Sequence, residues 1–318
     1  MKYELPTIRN PLKIGARGSP LALVQAKEVL SRLSSEFGLP EAAFKIVEIT
    51  SRGDLITDRS LSEIGGKGLF TKEIEDDLLD GKIDVAVHSM KDMPSEQPKG
   101  LIVDSYLPRQ DTRDAFLSYK YSSIKNIDKG IIVGTSSVRR RAQLLNLRPD
   151  LKVINFRGNV QTRVDNLKKS SVSATFLAMA GLNRLKVVDV PIFPIDIEEM
   201  LPAVAQGVIG VERRVEDNNV AYLLHRISDP NTEECMRCER AYLKNLDGSC
   251  QSPIAGIAML KDGNIKFKAE ILRPDGKKKF TAEGSALRQD SKELGLNIAL
   301  KLKEISIGCH VIILFRQR

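Results

Sequence analysis

Three groups of residues in this 318-residue chain have types and spacings that can do chemistry. The first is Val87-His88-Ser89-Met90-Lys91-Asp92-Met93-Pro94, where an apolar run from Ile83 to Val87 ends in side chains able to hold and move protons. Open α/β sheets bind ligands just beyond the carboxyl ends of their strands, and Pro94 keeps the chain from running straight into a helix. Asp92 is the candidate chemical centre. A lone carboxylate suits proton transfer or the stabilisation of a developing cation, and a cleft position would raise its pKa by desolvation while Lys91 partly compensates its charge. An Asx turn ahead of Pro94 accounts for the spacing equally well. His88 has no metal-spaced partners among three histidines, so it reads as structural and no metal is expected.

The second group is basic. Arg17 with Ser19, Thr135-Ser136-Ser137 with Arg139-Arg140-Arg141, and Arg157-Gly158-Asn159 with Arg163 all fall where a strand hands over to a helix. Helix N-termini bind anions through free N–H groups and the macrodipole, and arginine adds a planar fork that matches a carboxylate. Any one of these arginines could be solvated helix surface, and Arg141 is expected to face solvent. Several converging forks imply a ligand with several carboxylates or phosphates.

The third group is a thiol. Asp247-Gly248-Ser249-Cys250-Gln251-Ser252-Pro253 puts Cys250 in a tight turn. A free cysteine is commonly a small buried hydrophobe, but a loop position exposes the sulfur as covalent attachment would require. Cys235 and Cys238 form a C-x-x-C on a predicted helix with no second pair, which argues against zinc and redox roles. Gly65-Gly66-Lys67-Gly68 lacks the spacing and the preceding strand of a phosphate loop; it reads as a loop carrying Lys67 near the ligand.

These residues need elements to position them. The spacing predicts strand Leu12 to Ala16, helix Pro20 to Phe37 with Ser19 at its N-cap, strand Phe44 to Thr50, helix Leu69 to Leu79 and the strand ending at His88. The rhythm recurs with strand Ile131 to Gly134, helix from Ser137 to Leu147, strand Leu151 to Phe156, helix Val160 to Lys169 and strand Ala174 to Leu177. Two similar lobes of the doubly wound α/β class follow. Asp104 to Tyr119 reads as extended crossover chain, and a second crossing falls near Gln206-Gly207, with Gly207 to Glu212 as a returning strand. Two crossings make a hinge. Beyond Asn231 the pattern becomes α+β: helix Thr232 to Leu246, strands Ile254 to Leu260, Ile265 to Leu272 and Lys279 to Glu283, and helix Asp290 to Ile305. Ile307 to Phe315 is apolar, an edge strand or a tail without assigned function.

Composition sets the setting. The chain is long enough for two or three domains. Lys+Arg 49 against Asp+Glu 41 gives a net charge of +8 and favours anionic partners. The four cysteines are too few for a disulfide framework, the amino terminus carries no secretory pattern, and no apolar run is long enough to span a bilayer, so a cytoplasmic protein without membrane partners is expected. The arginines lie at strand-to-helix junctions and aromatic residues are 5%, which disfavours nucleic acid. A solute-binding or effector-sensing protein shares the two-lobed cleft; Cys250 in an appended domain argues against it.

The strings ARGSPLALVQA, GGKGLFTKEIE, VAVHSMKDMPSE, VGTSSVRRRAQL, NFRGNVQTRV, LAMAGLNRL, LPAVAQGVIGVE and ERAYLKNLDGSCQSPIAG, in this order, closely resemble the porphobilinogen deaminase (hydroxymethylbilane synthase) family over about Leu12 to Ile305. The resemblance implies two lobes like those of periplasmic binding proteins, residues 1–107 with 206–226 and residues 108–205, plus a domain of residues 227–318 that carries the cofactor cysteine. It implies a dipyrromethane primer held by Cys250 through a thioether, and a transferase that adds four porphobilinogen units to it with loss of ammonia, then hydrolyses off the linear tetrapyrrole. Asp92 matches the catalytic aspartate that stabilises cationic azafulvene and pyrrole intermediates. By the same match Arg17, Ser19, Arg157 and Arg163 take the carboxylates of the incoming substrate, and Lys91, Thr135, Ser136, Ser137, Arg139 and Arg140 hold the primer. Gln206 and Gly207 lie near the growing chain, and Lys67 and Phe70 lie in a mobile loop. Porphobilinogen is the expected small-molecule partner, and a monomer is expected. Ser249 stands where the family usually has glycine before the cysteine, and Ala255 replaces a common glycine.

Overall fold

Alternation and capping decide the first elements. In β1 (Leu12–Arg17), Leu12, Ile14 and Ala16 are buried on one face, as the two-residue period of a strand requires. Ser19 then caps α1 (Pro20–Phe37): its Oγ accepts the Ala22 N–H at 3.4 Å, Pro20 takes the first turn, and Gly38 ends the helix at φ +63°. The computed structural model describes residues 3–51, 71–169, 172–248 and 252–307. Within these, β2 (Phe44–Ile49), α2 (Lys72–Leu79), β3 (Val85–Ser89) and β4 (Leu101–Tyr106) follow. Next come β5 (Asp114–Leu117), β6 (Ile132–Gly134), α3 (Val138–Leu147), β7 (Lys152–Ile154), α4 (Val160–Lys169), β8 (Ala174–Ala178), α5 (Met179–Arg184) and β9 (Ile192–Pro194). The chain continues through β10 (Ile209–Arg214), α6 (Asn218–His225), α7 (Pro230–Asn245), β11 (Ile254–Lys261), β12 (Asn264–Leu272), β13 (Lys279–Leu287) and α8 (Ser291–Ile305).

Two sheets share one plan. Their orders are β2-β1-β3-β10-β4 and β7-β6-β8-β5-β9, and in each the fourth strand runs antiparallel to its neighbours. Helices cover both faces. On the first sheet, Val85 and Val87 of β3 join a core with Ala26, Val29 and Leu33 of α1 and with α6, whereas Ala86 faces Ile74 and Leu78 of α2. On the second, Phe116 and Phe176 pack towards Leu144 of α3, whereas Ala115, Leu117 and Leu177 face Val164 and Leu167 of α4. Each such buried aliphatic or aromatic side chain contributes about 1.5–3 kcal/mol, so the doubly wound arrangement follows from strands apolar on both faces.

The described residues divide into two compact units. One holds the residues up to Gln110 with Val208–Glu233; the other holds Asp111–Gly207 and the residues from Glu234 onward. The chain therefore leaves the first unit at Gln110 and returns at Val208, and the fourth strand of each sheet, β5 or β10, is the first strand after a passage. The second unit also contains the antiparallel sheet β11-β12-β13. Ile265, Phe267, Ala269 and Ile271 of β12 are buried, Leu294, Ile298 and Leu302 of α8 are spaced four apart on a buried face, and Tyr242 of α7 meets Phe267 edge-on at 5.1 Å. Leu201 packs on Ala255 and Ile257, and the Gly256 N–H donates to Pro202 O at 3.0 Å.

The expected crossover from Asp104 to Tyr119 needs correction. Asp104 to Tyr106 closes β4 and Asp114 to Leu117 forms β5, which leaves 107–113 as the connection. Buried polar residues Ser105 and Asp114 break the apolar pattern and hide both strands. The returning strand lies at Ile209–Arg214, two residues later than its expected start. Residues 308–315 of the apolar tail lie outside the described residues.

Candidate active site

In the first unit β1 and β3 are parallel neighbours, with Ile14 opposite Val85, so their carboxyl ends emerge side by side. Arg17 ends β1 half-buried, and Ser19 caps the helix that follows. Gln25 on α1 exchanges hydrogen bonds with Ser89 at 2.8 and 3.0 Å, tying this helix to the end of β3. After Ser89 the chain makes one 3₁₀ turn, Met90–Asp92, closed by the Met93 N–H on Met90 O at 3.2 Å. Met90 and Met93 are buried and the Met90 N–H donates to Val208 O at 3.0 Å, so the turn is anchored on both sides. Lys91 is half-buried between them, and Asp92 is exposed. The Asp92 carboxylate makes no hydrogen bond to a described residue, so backbone closure, not an Asx turn, shapes this corner and leaves both carboxylate oxygens for a ligand.

His88 lies beneath that turn. It is buried, and its Nε2 is 3.0 Å from Glu212 Oε2 of β10. Glu75 of α2 is buried in the same region; burial first, and then the Glu212 charge, push its carboxyl above the ordinary range. These groups support the strand end from inside, and neither Glu75 nor Glu212 stands out in the sequence except as a charge within a buried pattern.

In the second unit β6 and β7 are parallel, with Gly134 opposite Ile154. A Cβ on Gly134 would lie 2.7 Å from the Phe156 side chain, so glycine is what lets the two strand exits approach. The hydroxyls here share one arrangement. Thr135 Oγ1 accepts the Ser137 N–H at 3.2 Å, Ser136 Oγ accepts the Phe156 N–H at 3.1 Å, and Ser137 Oγ caps α3 by accepting the Arg140 N–H at 3.4 Å. Each hydroxyl accepts from backbone and donates to no described residue, so three O–H protons remain for an acceptor at the positive end of α3. At the next corner Asn159 Oδ1 accepts from the Thr162 N–H at 2.8 Å, Arg163 Nε donates to Gly158 O at 2.7 Å, and Arg157 is half-buried.

Arg139 and Arg140 are not surface forks. Both are buried on Asp114, the first residue of β5, which is wholly buried. Arg139 Nη1 reaches Asp114 Oδ2 at 2.7 Å, while Arg140 Nη2 and Nε reach Oδ1 at 2.7 and 3.2 Å and its Nη1 reaches Phe176 O at 2.8 Å. Burial alone would raise the Asp114 pKa, but the two guanidiniums hold it well below the usual carboxylate range. Arg139 keeps Nε and Nη2 without a partner among the described residues. Arg141 is exposed, as expected.

Gln206, expected near the growing chain, is instead wholly buried: its Nε2 donates to Asp114 Oδ1 at 3.0 Å and to Thr112 O at 2.7 Å. Gly207 follows at φ +89°, and its carbonyl accepts from Arg184 at 3.3 Å. Asp114 itself went unrecognised as a functional residue; its signal is a charge opening the apolar run Ala115-Phe116-Leu117 at the carboxyl-end edge of the sheet, opposite Ala178. Lys67, Phe70 and Cys250 lie outside the described residues. Cys235 and Cys238 are buried and form no disulfide among the described residues, and burial pushes the Cys238 thiol up. Among the described residues no group of three or more potential ligands could hold a metal, and no helix is long and apolar enough to cross a membrane.

Each unit holds a doubly wound sheet whose strand-to-helix corners carry hydroxyl, guanidinium or carboxylate side chains, which defines an α/β protein of two such lobes. Family models described as "Porphobilinogen deaminase, dipyromethane cofactor binding domain" and "Porphobilinogen deaminase, C-terminal domain" match residues 12–222 and 233–304. The chain belongs to the porphobilinogen deaminase family. It is 53% identical over 300 residues to porphobilinogen deaminase of Paracoccus denitrificans (strain Pd 1222), covering 94% of this chain and 96% of that protein. It is 48% identical over 268 residues to the chloroplastic porphobilinogen deaminase of Oryza sativa subsp. japonica, covering 83% and 75%. Among solved structures it is similar to a probable amino-acid ABC transporter extracellular-binding protein from Bacillus subtilis, at 14% identity, 70% and 94% coverage and a TM-score of 0.39.

Proposed function

We propose that this chain is a hydroxymethylbilane synthase that condenses four porphobilinogen units in turn onto a dipyrromethane bound through Cys250, and then releases the linear tetrapyrrole. The observation that carries the reading is the donor set at the start of α3: three hydroxyl protons, a helix N-terminus and the open side of Arg139, all suited to carboxylates. A dipyrromethane with acetate and propionate arms fits that set. When bound, it would supply the nucleophilic pyrrole carbon to which the first unit is added, each later unit adding to the terminal ring of the chain already built.

The chain's own residues do the rest. Thr135, Ser136, Ser137, Arg139, Arg140 and Lys91 orient the primer's carboxylates, while Arg17, Ser19, Arg157 and Arg163 take those of incoming porphobilinogen. Loss of ammonia breaks the aminomethyl C–N bond and leaves positive charge on the substrate. Asp92, exposed at the end of β3 with no competing hydrogen bond, offers an anion to that charge and accepts the proton released when the new C–C bond forms. Gln206 acts through Asp114 on the arginine pair, and Gly207 supplies the left-handed turn at the passage between units. Cys235 and Cys238, buried and in no disulfide among the described residues, are structural and accord with a reducing, cytoplasmic setting.

Intact mass spectrometry of the purified protein tests the proposal. Protein made with porphobilinogen available should carry a covalent dipyrrole excess on the peptide containing Cys250; an unmodified cysteine would overturn it.

A further inference from the structure

Gln143 of α3 occupies a junction that the reaction described above does not use. Its Oε1 accepts from Arg139 Nη1 at 3.0 Å, and its Nε2 donates to Leu201 O at 2.9 Å and to Glu270 Oε1 of β12. Arg139 Nη1 in turn donates to Asp114 and to Leu201 O at 2.8 Å. Asp114, Arg139, Gln143 and Glu270 are 0%, 5%, 4% and 6% exposed, so the whole chain of polar contacts lies inside the second unit. A buried network with its members paired fixes one arrangement and penalises the others.

Both ends of this network are attached to something useful. At one end is Arg139, whose Nε and Nη2 make no hydrogen bond to a described residue. At the other, Glu270 pairs across the sheet with Ala255 of β11, a strand that begins four residues after Cys250. The Tyr242 hydroxyl of α7 donates to both backbone carbonyls of that pair, Ala255 O at 3.4 Å and Glu270 O at 3.3 Å. Gln143 therefore joins the helix carrying Arg139 to β12, the strand paired with the one that follows the cysteine loop.

We infer that Gln143 and Glu270 are positioning residues for elongation, holding Arg139 in register with the primer from the sheet that follows the cysteine loop. The inference rests on the proposed role of Arg139 as a primer ligand. Ionised Glu270 accepts only, which obliges the Gln143 amide to turn its NH₂ towards Glu270 and its oxygen towards the Arg139 cation. A protonated Glu270 no longer offers a charged acceptor, so the contact that braces the Gln143 amide against Arg139 from the β12 side weakens. The groups around the carboxyl are Arg139 and Gln143 on α3, Lys279 on β13 with Nζ at 3.9 Å, and Tyr242 on α7. Glu198, Lys268, Glu283 and Lys301 line the adjoining cavity of about 400 Å³, through which solvent protons reach Glu270. Burial, only partly offset by Gln143, Lys279 and Arg139, raises the Glu270 pKa above the ordinary carboxylate value.

The test compares wild-type holoenzyme with Gln143→Leu and Glu270→Gln, measuring covalent primer mass, and kcat and KM for porphobilinogen from pH 5 to 9. All three proteins should carry the primer. Gln143→Leu should lose about tenfold in kcat with KM within about twofold of wild type, because the arginine it steadies grips the growing chain. Glu270→Gln, close in shape and still an acceptor, should fold and flatten the acid side of the wild-type kcat profile. A wild-type kcat in Gln143→Leu, or a pH profile of Glu270→Gln superimposable on wild type, overturns the inference. Should Gln143→Leu fail to fold, the Glu270→Gln profile decides alone. Absence of the primer from wild-type protein would instead overturn the functional reading on which the inference rests.

Discussion

A carboxylate shut away from solvent stays charged only where fixed partners replace water, and Asp114 has two guanidiniums and an amide on its two oxygens. Asp92 is the opposite case, exposed and without an ion pair or hydrogen bond to a described residue. The two residues should therefore fail differently. Asp114→Asn leaves two buried cations with one neutral partner and should destabilise the fold by about 3–5 kcal/mol, read from urea unfolding. The sign with pH follows from the depressed pKa: the stability Asp114 contributes is fully present above the unfolded value of about 4 and is lost only as pH falls through the lower folded value. Asp92→Asn should leave stability within about 0.5 kcal/mol of wild type and cut ammonia release by about 100-fold or more. Near-normal ammonia release by that variant would remove Asp92 from the centre of the mechanism. Of these two aspartates the sequence exposed only Asp92. Its corner is local, a strand end followed by Pro94, whereas the role of Asp114 depends on arginines of another element meeting it in space.

At the scale of elements, what could be read from sequence was what is capped or amphipathic on its own. Ser19-Pro20 and the α1 pattern place that helix from Pro20 to Phe37, and α4 is equally legible from Val160 to Lys169. β4, β5, β9 and α6 are not, because their burial comes from neighbours far along the chain: β5 is flanked by β8 and β9, and β4 by β10. The support under the Asp92 corner is of the same kind, since Glu75 of α2 and Glu212 of β10 meet near His88 of β3. A carboxyl with a raised pKa binds its proton more tightly folded than unfolded, so its contribution to stability declines as pH rises from the unfolded value through the folded one. Glu75→Gln removes that decline. Its unfolding free energy, relative to wild type, should be larger (the variant relatively more stable) at pH 8 than at pH 5; an equal difference at both pH values would show that Glu75 carries no excess proton in the folded state.

At the scale of the whole molecule, the repeated lobe was legible because each strand, small-residue corner and helix recurs in the same order along the chain. The division of labour between repeats was not. Each sheet takes its fourth, antiparallel strand from chain that has just passed between the units, and no local pattern announces such a strand. Charge is the property legible at this scale without any structure. The chain carries a formal +8, and its corner sites are donor-rich, so encounter with a dianionic pyrrole should be electrostatically assisted. Screening shortens that assistance from about 10 Å at 0.1 M salt to about 3 Å at 1 M. Elongation itself takes place among groups in direct contact, where mobile ions have little access. Raising the salt from 0.05 to 0.5 M should therefore raise KM for porphobilinogen several-fold and leave kcat nearly unchanged. A fall in kcat with KM constant would place the salt-sensitive charges on the growing chain instead, and would shift the role of Arg157 and Arg163 from capture of substrate to translocation of product.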